Sequence, residues 1–364
     1  MSTPAVSIAP AAELGSVSLV CGVRPDGRNA ILEYTNLLDD ALRAAGVDSR
    51  VLAAHGRLPD LGASDVVLLQ YNPYLYGRRG LAPALVRSWL AARREHADAT
   101  FALMAHELFD PISDWRSALA GGAQRAQLRV LHRTSDALFV STGPWADRLA
   151  GWRPTRPVFH LAVGSNLPES ATDPLATRAE LAVAPDTPLL ACFGTAHRSR
   201  LLGHIAAALN AVAEDAGGAT LLHLGAGAPP LPELNAAAHV IAPGELDGAE
   251  VARLLRCADL FLAPFSDGAS TRRGSLMAAL QAGLPVAATA GPVTDQLLRG
   301  SSAIDLVTAD ASGFARTVVS LMRDPQRRAA MALAARSLYE REFAWPVIAQ
   351  RLCRGLCEVR AGGR

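Results

Sequence analysis

The sequence predicts an α/β fold of two Rossmann-like domains, on three observations. Short apolar runs of strand length alternate with helical patterns along the chain. The alternation restarts after a polar Pro/Ser/Thr/Asp stretch at 164–187, and long helical patterns at about 310–342 and 346–359 close the chain. Such alternation calls for parallel sheets with right-handed helical crossovers. A length of 364 residues also exceeds what one compact core usually holds.

In the first series, strands are expected at 16–23, 49–55, 65–71, 100–106, 137–142 and 157–163, with helices such as Asn29–Ala45 and Leu81–Glu95 between them. The second series places strands at 188–194, 219–226, 239–244, 259–265, 285–290 and 303–309. Each run is apolar, too short for a helix, and bounded by turn-forming residues. The expected division is a flexible tail at 1–15, a first domain at 16–164, a linker at 165–187, a second domain at 188–345 and a C-terminal helix at 346–364. Ligands of open parallel sheets bind outside the carboxyl ends of the strands, so two facing domains would share a cleft.

Half of the chain is apolar and 19% is charged, which excludes extended disorder. A net charge of +1 gives no whole-surface attraction for nucleic acid, so any anion site is local and no nucleic-acid partner is expected. Cys21, Cys192, Cys257, Cys353 and Cys357 are scattered without zinc spacing and read as reduced thiols of a cytosolic, hence cytoplasmic, protein. No charge-free apolar run reaches the roughly 18 residues of a membrane span. The Ala/Pro/Ser-rich start lacks a basic region and reads as a tail, not a signal peptide.

The stretch SDGASTRRGSLMAAL (266–280) joins the strand LFLAPF to an alanine-rich helix that Gly283 and Pro285 stop. Arg272, Arg273, Gly274 and Ser275 therefore sit at a strand-to-helix corner. The first amides of a helix lack intrahelical partners and carry partial positive charge, and guanidiniums grip phosphate oxygens in forked geometry. Phosphate binding and a pair of solvated surface arginines both fit this corner taken alone.

The run ADLFLAPFSDGASTRRGSLMAALQAGLPVAAT (258–289) resembles the donor-binding domain of the retaining glycosyltransferases of family 4, with Pro264, Gly274, Gly283, Pro285 and Val286 in the family frame. FGTAHRSR (193–200) stands where that family has a strand ending in glycine with basic residues beyond, and GELDGAEVARLLRCADL (244–260) matches its glycine and acidic helix start. The resemblance implies a GT-B fold: an N-terminal acceptor domain, a C-terminal nucleotide-sugar donor domain, and a last helix returning to the first domain. It implies transfer of a sugar from a nucleotide-diphosphate sugar to a hydroxyl of a polysaccharide, glycolipid or natural product, with retained configuration. Front-face attack within an ion pair is implied, the leaving phosphate acting as base.

By the same resemblance, Arg200, Arg272, Arg273, Gly274 and Ser275 hold the donor diphosphate, and Gly244 and Glu245 lie at the nucleoside. The family's glutamate pair falls at Ser270 and Ala278, neither acidic. This departure matches a subset with a D-G-x-S-x-R-R-G-S-L corner, in which Asp267 and Ser270 are candidates for the donor sugar and ribose. Cations and amides at the leaving group lower the barrier without metal, and no Asp-x-Asp loop is evident. No metal or other cofactor is therefore expected; the nucleotide sugar is a co-substrate.

In the first domain, FALMAHELFDP (101–111) ends a strand with His106 and Glu107. The resemblance places His106 beside the transferred sugar as a catalytic contact, with Glu107 orienting it or binding acceptor; a core-edge histidine bonded to backbone is the alternative. GVRPDGRNAILEY (22–34) lacks the G-x-G-x-x-G of a dinucleotide site, and its Arg24, Arg28 and Asn29 are loop candidates near donor phosphates and acceptor. LLQYNPYLYGRRG (68–80) offers Tyr71, Asn72 and Gln70 for acceptor stacking and hydrogen bonding, or ordinary packing. Arg125, Arg129 and His132 or Arg133 repeat at helical spacing, as a solvated face or a weak peripheral contact with anionic lipid. Trp145 and Trp152 flank the cleft or pack in the core.

Two other functions fit. A nucleotide-sugar epimerase would need acidic and histidine catalysts around the donor sugar, and the corner lacks the family glutamates. A non-catalytic nucleotide-sugar-binding or scaffold protein is the other, suggested by the same two losses.

Overall fold

A computed structural model of the chain describes residues 14–23, 29–110, 115–152, 156–195, 199–227, 230–308 and 310–362, with the side chains of 115–119 excepted. It divides into two compact units, one comprising residues up to Ala162 together with those from Trp345 on, the other Val163–Ala344.

The first unit carries a six-stranded parallel sheet of β1 (Ser16–Gly22), β2 (Asp48–Ala54), β3 (Val66–Tyr71), β4 (Thr100–Ala105), β5 (Ala137–Val140) and β6 (Val158–His160). Helices α1 (Ala30–Ala44), α2 (Pro73–Tyr76), α3 (Pro83–Glu95), α4 (Trp115–Thr134) and α5 (Gly143–Ala150) make the crossovers. The spatial order β2-β1-β3-β4-β5-β6 puts a topological switch point between β1 and β3, where open α/β sheets bind ligands. Strands β3 and β4 are buried on every residue, as expected of parallel strands covered on both faces. Trp89 on α3 meets Phe101 of β4 edge-on at 5.0 Å beneath the sheet.

The second unit is built from β7 (Leu189–Phe193), β8 (Ala219–Leu224), β9 (Ala238–Ile241), β10 (Leu260–Ala263), β11 (Val286–Thr289) and β12 (Ile304–Val307). Its order, β9-β8-β7-β10-β11-β12, is the doubly wound dinucleotide-fold pattern, with the switch point between β7 and β10. Its helices are α6 (Pro174–Glu180), α7 (Leu202–Ala216), α8 (Gly248–Leu255), α9 (Gly274–Gln281), α10 (Gln296–Arg299), α11 (Ala311–Arg323) and α12 (Pro325–Glu342).

Two boundaries differ from the sequence expectation. The segment 165–187 is part of the second unit, not an open linker. It carries α6, whose buried Arg178 donates to the carbonyls of Cys257, Pro185 and Thr187 and pairs with Asp259 at 2.6 Å. The pattern at 310–342 is two helices: Pro325 opens α12, and Asp324 caps it by accepting from the Arg327 amide at 2.8 Å. Proline cannot continue the α11 hydrogen-bond ladder.

Helix α13 (Trp345–Gly362) belongs to the first unit, where it packs on α1. A Cβ on Gly355 would stand 2.9 Å from Cε1 of Phe139, so glycine permits this close approach. Arg360 donates to the Leu14 carbonyl at 2.6 Å. Among the described residues no helix is long and apolar enough to cross a membrane.

Candidate functional site

The second unit's switch point brings the expected phosphate residues together. Beyond β7 the chain turns at Gly194, with φ of 107° and room for a guanidinium where a Cβ would be 3.2 Å from Arg200 Nη2. Arg200 then pairs in an isolated bridge with Phe265, just past β10. It is 8% exposed, and its Nη2 donates to the Phe193 carbonyl at 2.5 Å. Its Nε and Nη1 are buried with no oxygen or nitrogen acceptor among the described residues. Burial lowers the pKa of Arg200, with the Cys192 thiol beside it acting the other way. His223 of β8 is also buried; burial, then the Arg200 charge, hold it below the usual histidine range.

Across Phe265 lies the second half of the corner. Arg273 stacks on that ring at 4.1 Å and Arg200 lies 5.4 Å from it. Arg272 and Arg273 both donate to Asp267, at 2.6 and 2.5 Å. Burial pushes the Asp267 carboxyl pKa up, but Arg273 and Arg272 override it and hold the group below the usual carboxylate range. Asp267 therefore serves as counter-ion to the two arginines here. The Ser-Asp-Gly turn is rigid: Gly268 takes φ of 92°, and a Cβ there would lie 2.4 Å from Gly291 N. The Thr289 hydroxyl donates to the Phe265 carbonyl at 2.6 Å, and Asp295 accepts from the Thr271 amide at 2.8 Å.

Helix α9 begins at Gly274 with no side-chain cap on its first amides. A Cβ on Gly274 would meet nothing within 4 Å, so the helix start faces open space. Ser275 beside it is half-buried. Ser270 is fully buried and its Oγ lacks a partner among the described residues. Ala278 lines a recess with Leu167, Ala252, Leu255 and Arg256. Gly244, with φ of 89°, and exposed Glu245 precede α8. Among the described residues no group of three or more His, Cys, Asp or Glu is arranged to hold a metal ion.

On the first unit, His106 sits one residue past β4, its amide bonded to the Tyr71 carbonyl at 2.9 Å. Its Nε2 lies 2.8 Å from Gln70 Oε1, and Tyr34 meets its ring edge-on at 4.8 Å. Burial pushes its pKa from 6.5 down to about 3, so the ring is neutral. Glu107 beside it is half-buried. Three acceptor candidates make structural contacts. Tyr71 is fully buried and accepts from Gln127 Nε2 at 2.9 Å, with burial raising its pKa to about 12. Asn29 caps α1, accepting from the Ile31 amide and donating to the Gly22 carbonyl at 2.6 Å. Asn72 caps α2 by accepting from the Tyr74 amide. Arg24 and Arg28 lie outside the described residues.

The basic stripe of α4 also changes character. Arg125 lies 4.6 Å over Phe109 and Arg129 4.8 Å over Trp152, while those two rings stack at 6.1 Å. His132 is 1% exposed, so it turns into the core and leaves Arg133 on the exposed face.

Residues 187–324 match the family described as glycosyl transferases group 1. The chain is 27% identical over 216 residues to a GDP-mannose-dependent monoacylated alpha-(1-6)-phosphatidylinositol monomannoside mannosyltransferase of Corynebacterium glutamicum. That match covers 54% of this chain and 56% of that protein, so the chain spans about half the length of this relative. Among solved structures, sucrose-phosphate synthase from Thermosynechococcus elongatus aligns with a TM-score of 0.70 at 14% identity, over 96% of this chain and all of that one. HepE of Anabaena, solved with UDP and glucose, aligns with a TM-score of 0.62 at 14% identity, over 94% of this chain and 99% of that one. The chain thus has the GT-B fold, and residues 187–324 carry its match to the group 1 glycosyltransferases.

Proposed function

We propose that the chain is a glycosyltransferase that takes a sugar from a nucleotide-diphosphate donor and passes it to an acceptor hydroxyl with retained configuration. One observation carries the reading: Arg200 is buried at the switch point, and its Nε and Nη1 have no oxygen or nitrogen acceptor among the described residues, only the Cys192 thiol beside the guanidinium. Each buried donor left unpaired costs about 1–3 kcal/mol, so such a group calls for a ligand or water acceptor. A diphosphate supplies acceptors and charge together. Arg272, Arg273 and the amides of Gly274 and Ser275, at the same switch point, are assigned to that diphosphate, and Ser270, buried with an unpartnered Oγ among the described residues, to the donor sugar or ribose. Charge on the departing nucleoside diphosphate grows in the transition state, and fixed cations there lower the barrier without a metal. His106 contacts the transferred sugar as a neutral ring, and Glu107 orients it or meets the acceptor. Gly244 and Glu245 are assigned to the nucleoside. The four buried cysteines, all free thiols, support a cytoplasmic setting.

The test is a thermal-shift panel of UDP, GDP, TDP, ADP and CDP, each beside its nucleoside and without metal. A ligand that binds only the folded chain raises the melting point in proportion to ln(1 + [L]/Kd). One diphosphate should stabilise where its nucleoside does not, and Arg200→Ala should abolish that difference. Equal shifts for diphosphate and nucleoside would defeat the assignment. Because one relative is named GDP-mannose-dependent and another was solved with UDP and glucose, GDP-mannose and UDP-glucose are the first donors to assay. Ser270 and Ala278 favour a second reading, a sugar-nucleotide-binding protein without turnover; diphosphate binding with no release from either donor would support it.

A further inference from the structure

Strand β3 reads VVLLQY, and its one strongly polar side chain, Gln70, is 0% exposed. A glutamine in an otherwise apolar, fully covered parallel strand needs a reason. Gln70 stands beside Cys21 of β1 and Met104 of β4 in register, and two residues beyond Met104 the pleat returns to the same face at His106. There the Gln70 Oε1 and His106 Nε2 meet at 2.8 Å. The backbone carbonyl of Gln70 is separately held by the Tyr76 hydroxyl at 2.7 Å, and that hydroxyl also accepts from the Gly22 amide at 2.9 Å. The Tyr76 bond holds the strand backbone at Gln70, while the side-chain Nε2 is buried with no hydrogen-bond partner among the described residues, which leaves the contact to His106 as the amide's one side-chain hydrogen bond there. Tyr34 closes the ring's edge, and Trp345 backs Tyr34 at 5.2 Å. Nδ1 of His106 has no hydrogen-bond partner among the described residues, and the residue keeps 9% exposure.

We propose that Gln70 is a positioning residue for His106: its amide oxygen holds the ring as the Nε2–H tautomer, so that Nδ1 offers a lone pair to a hydroxyl of the transferred sugar. A neutral imidazole has one donor and one acceptor nitrogen, and the hydrogen bond at one fixes the role of the other. An amide accepts the Nε2 proton without a negative charge, so the ring stays neutral. A carboxylate at this position would favour imidazolium and turn Nδ1 into a donor. The proposal rests on the transferase reading for the sugar, and on the side-chain geometry alone for the tautomer.

The tautomer is read first, by long-range proton–nitrogen correlation on the intact chain labelled at histidine nitrogens, with His106→Gln to assign the signal. At neutral pH the expected pattern is a neutral ring protonated at Nε2. Gln70→Leu should mix the tautomers, and Gln70→Glu, which keeps shape and hydrogen bond, should populate imidazolium. An Nδ1–H ring in the parent chain, or no change in either variant, overturns the proposal. Turnover of UDP-glucose and GDP-mannose is read next. Both variants should lose about tenfold in kcat, the worth of one hydrogen bond, with nucleoside diphosphate affinity unchanged. Unchanged kcat in variants whose tautomer has shifted also overturns the role. A parent chain that binds diphosphate but turns over neither donor defeats the transferase reading instead, and the tautomer signal then decides the hold of Gln70 on the ring. Unchanged diphosphate-dependent stabilisation confirms that a variant's second unit is folded, and retention of the other histidine signals does so for the first.

Discussion

Asp267→Asn tests whether the corner is an anion site whose cations are held in reserve by an internal carboxylate. In the unliganded chain Asp267 accepts from both Arg272 and Arg273. It is 28% exposed and they are 12% and 11% exposed, so the charges are partly desolvated. Each charge-assisted hydrogen bond is worth about 1.5–3 kcal/mol, and solvent access argues for the low end, so removing the carboxylate should reduce unliganded stability by about 2–4 kcal/mol. The bound state should respond in the opposite sense. A phosphate charge about 6 Å from Asp267 is repelled by about 1–3 kcal/mol at an effective dielectric of 20–40. Relief of that repulsion should tighten diphosphate binding by roughly five- to a hundredfold. Titration calorimetry with the diphosphate selected by the thermal-shift panel, at two salt concentrations, measures the change. The asparagine chain should melt lower alone, gain more from ligand, and show a steeper salt dependence. Weaker or unchanged binding would refute the reasoning: Asp267 would then orient the guanidiniums, or the diphosphate would sit elsewhere.

Other consequences follow from particular residues. The pKa of His106 falls from 6.5 to about 3 in the folded chain, so the unfolded chain binds the extra proton first as pH drops. Its contribution is complete above 6.5 and is lost as pH falls toward 3, at up to about 1.4 kcal/mol per pH unit. Denaturant unfolding at pH 5, 6 and 7 should therefore show a flatter acid limb for His106→Gln than for the parent, and parallel limbs would refute the buried neutral ring. Gly355→Ala forces a methyl to 2.9 Å from Phe139 and should destabilise the first unit by about 1–3 kcal/mol while leaving diphosphate binding intact. A melting point unchanged by that alanine would deny the tight α13 contact. Arg129 lies over Trp152 and Arg133 is exposed one turn on along α4, and reversing both to glutamate should weaken sedimentation with phosphatidylglycerol vesicles by about 1 kcal/mol or more per residue. Equal sedimentation of parent and variant, or none by either, would make the stripe a solvated face.

All twelve expected strands form among the described residues, because covered parallel strands are continuous apolar runs and little else in a sequence looks like them. The break at Asp324 was also legible: Asp-Pro ahead of an apolar pattern is a helix start, and the length of the pattern concealed it. The segment 165–187 misleads because its polar residues work inward, with Arg178 buried on three carbonyls and one carboxylate. Asn29 and Asn72 are N-caps, a role that their places ahead of helices allow but that competes with a ligand contact in any single sequence. The ion pairs of Asp267 with Arg272 and Arg273 were not legible, since loop spacing sets no contact without the turn that Gly268 and Gly291 close. Gln70 did leave a trace, as a polar residue in a strand that has no exposed face.

The absence of acidic side chains at Ser270 and Ala278 and the crowding of arginines make sense together. Three guanidiniums and one carboxylate leave the corner with two positive charges in excess, and neither Ser270 nor Ala278 offsets them. On the proposed reading, a nucleotide-sugar diphosphate brings about two negative charges and leaves with about three. The excess therefore matches the donor in the ground state. Asp267 is the adjustable part: as the third charge develops, its two arginines can shift toward the phosphate, supplying attraction that the ground state uses less. Stabilisation that grows along the reaction raises kcat, whereas equal attraction throughout would only lower KM. Asp267→Asn should thus bind donor and product more tightly and yet turn over more slowly, limited by release of a diphosphate that no carboxylate competes to displace. A variant that binds more tightly and turns over faster would show that Asp267 restrains the chemical step and does not assist release.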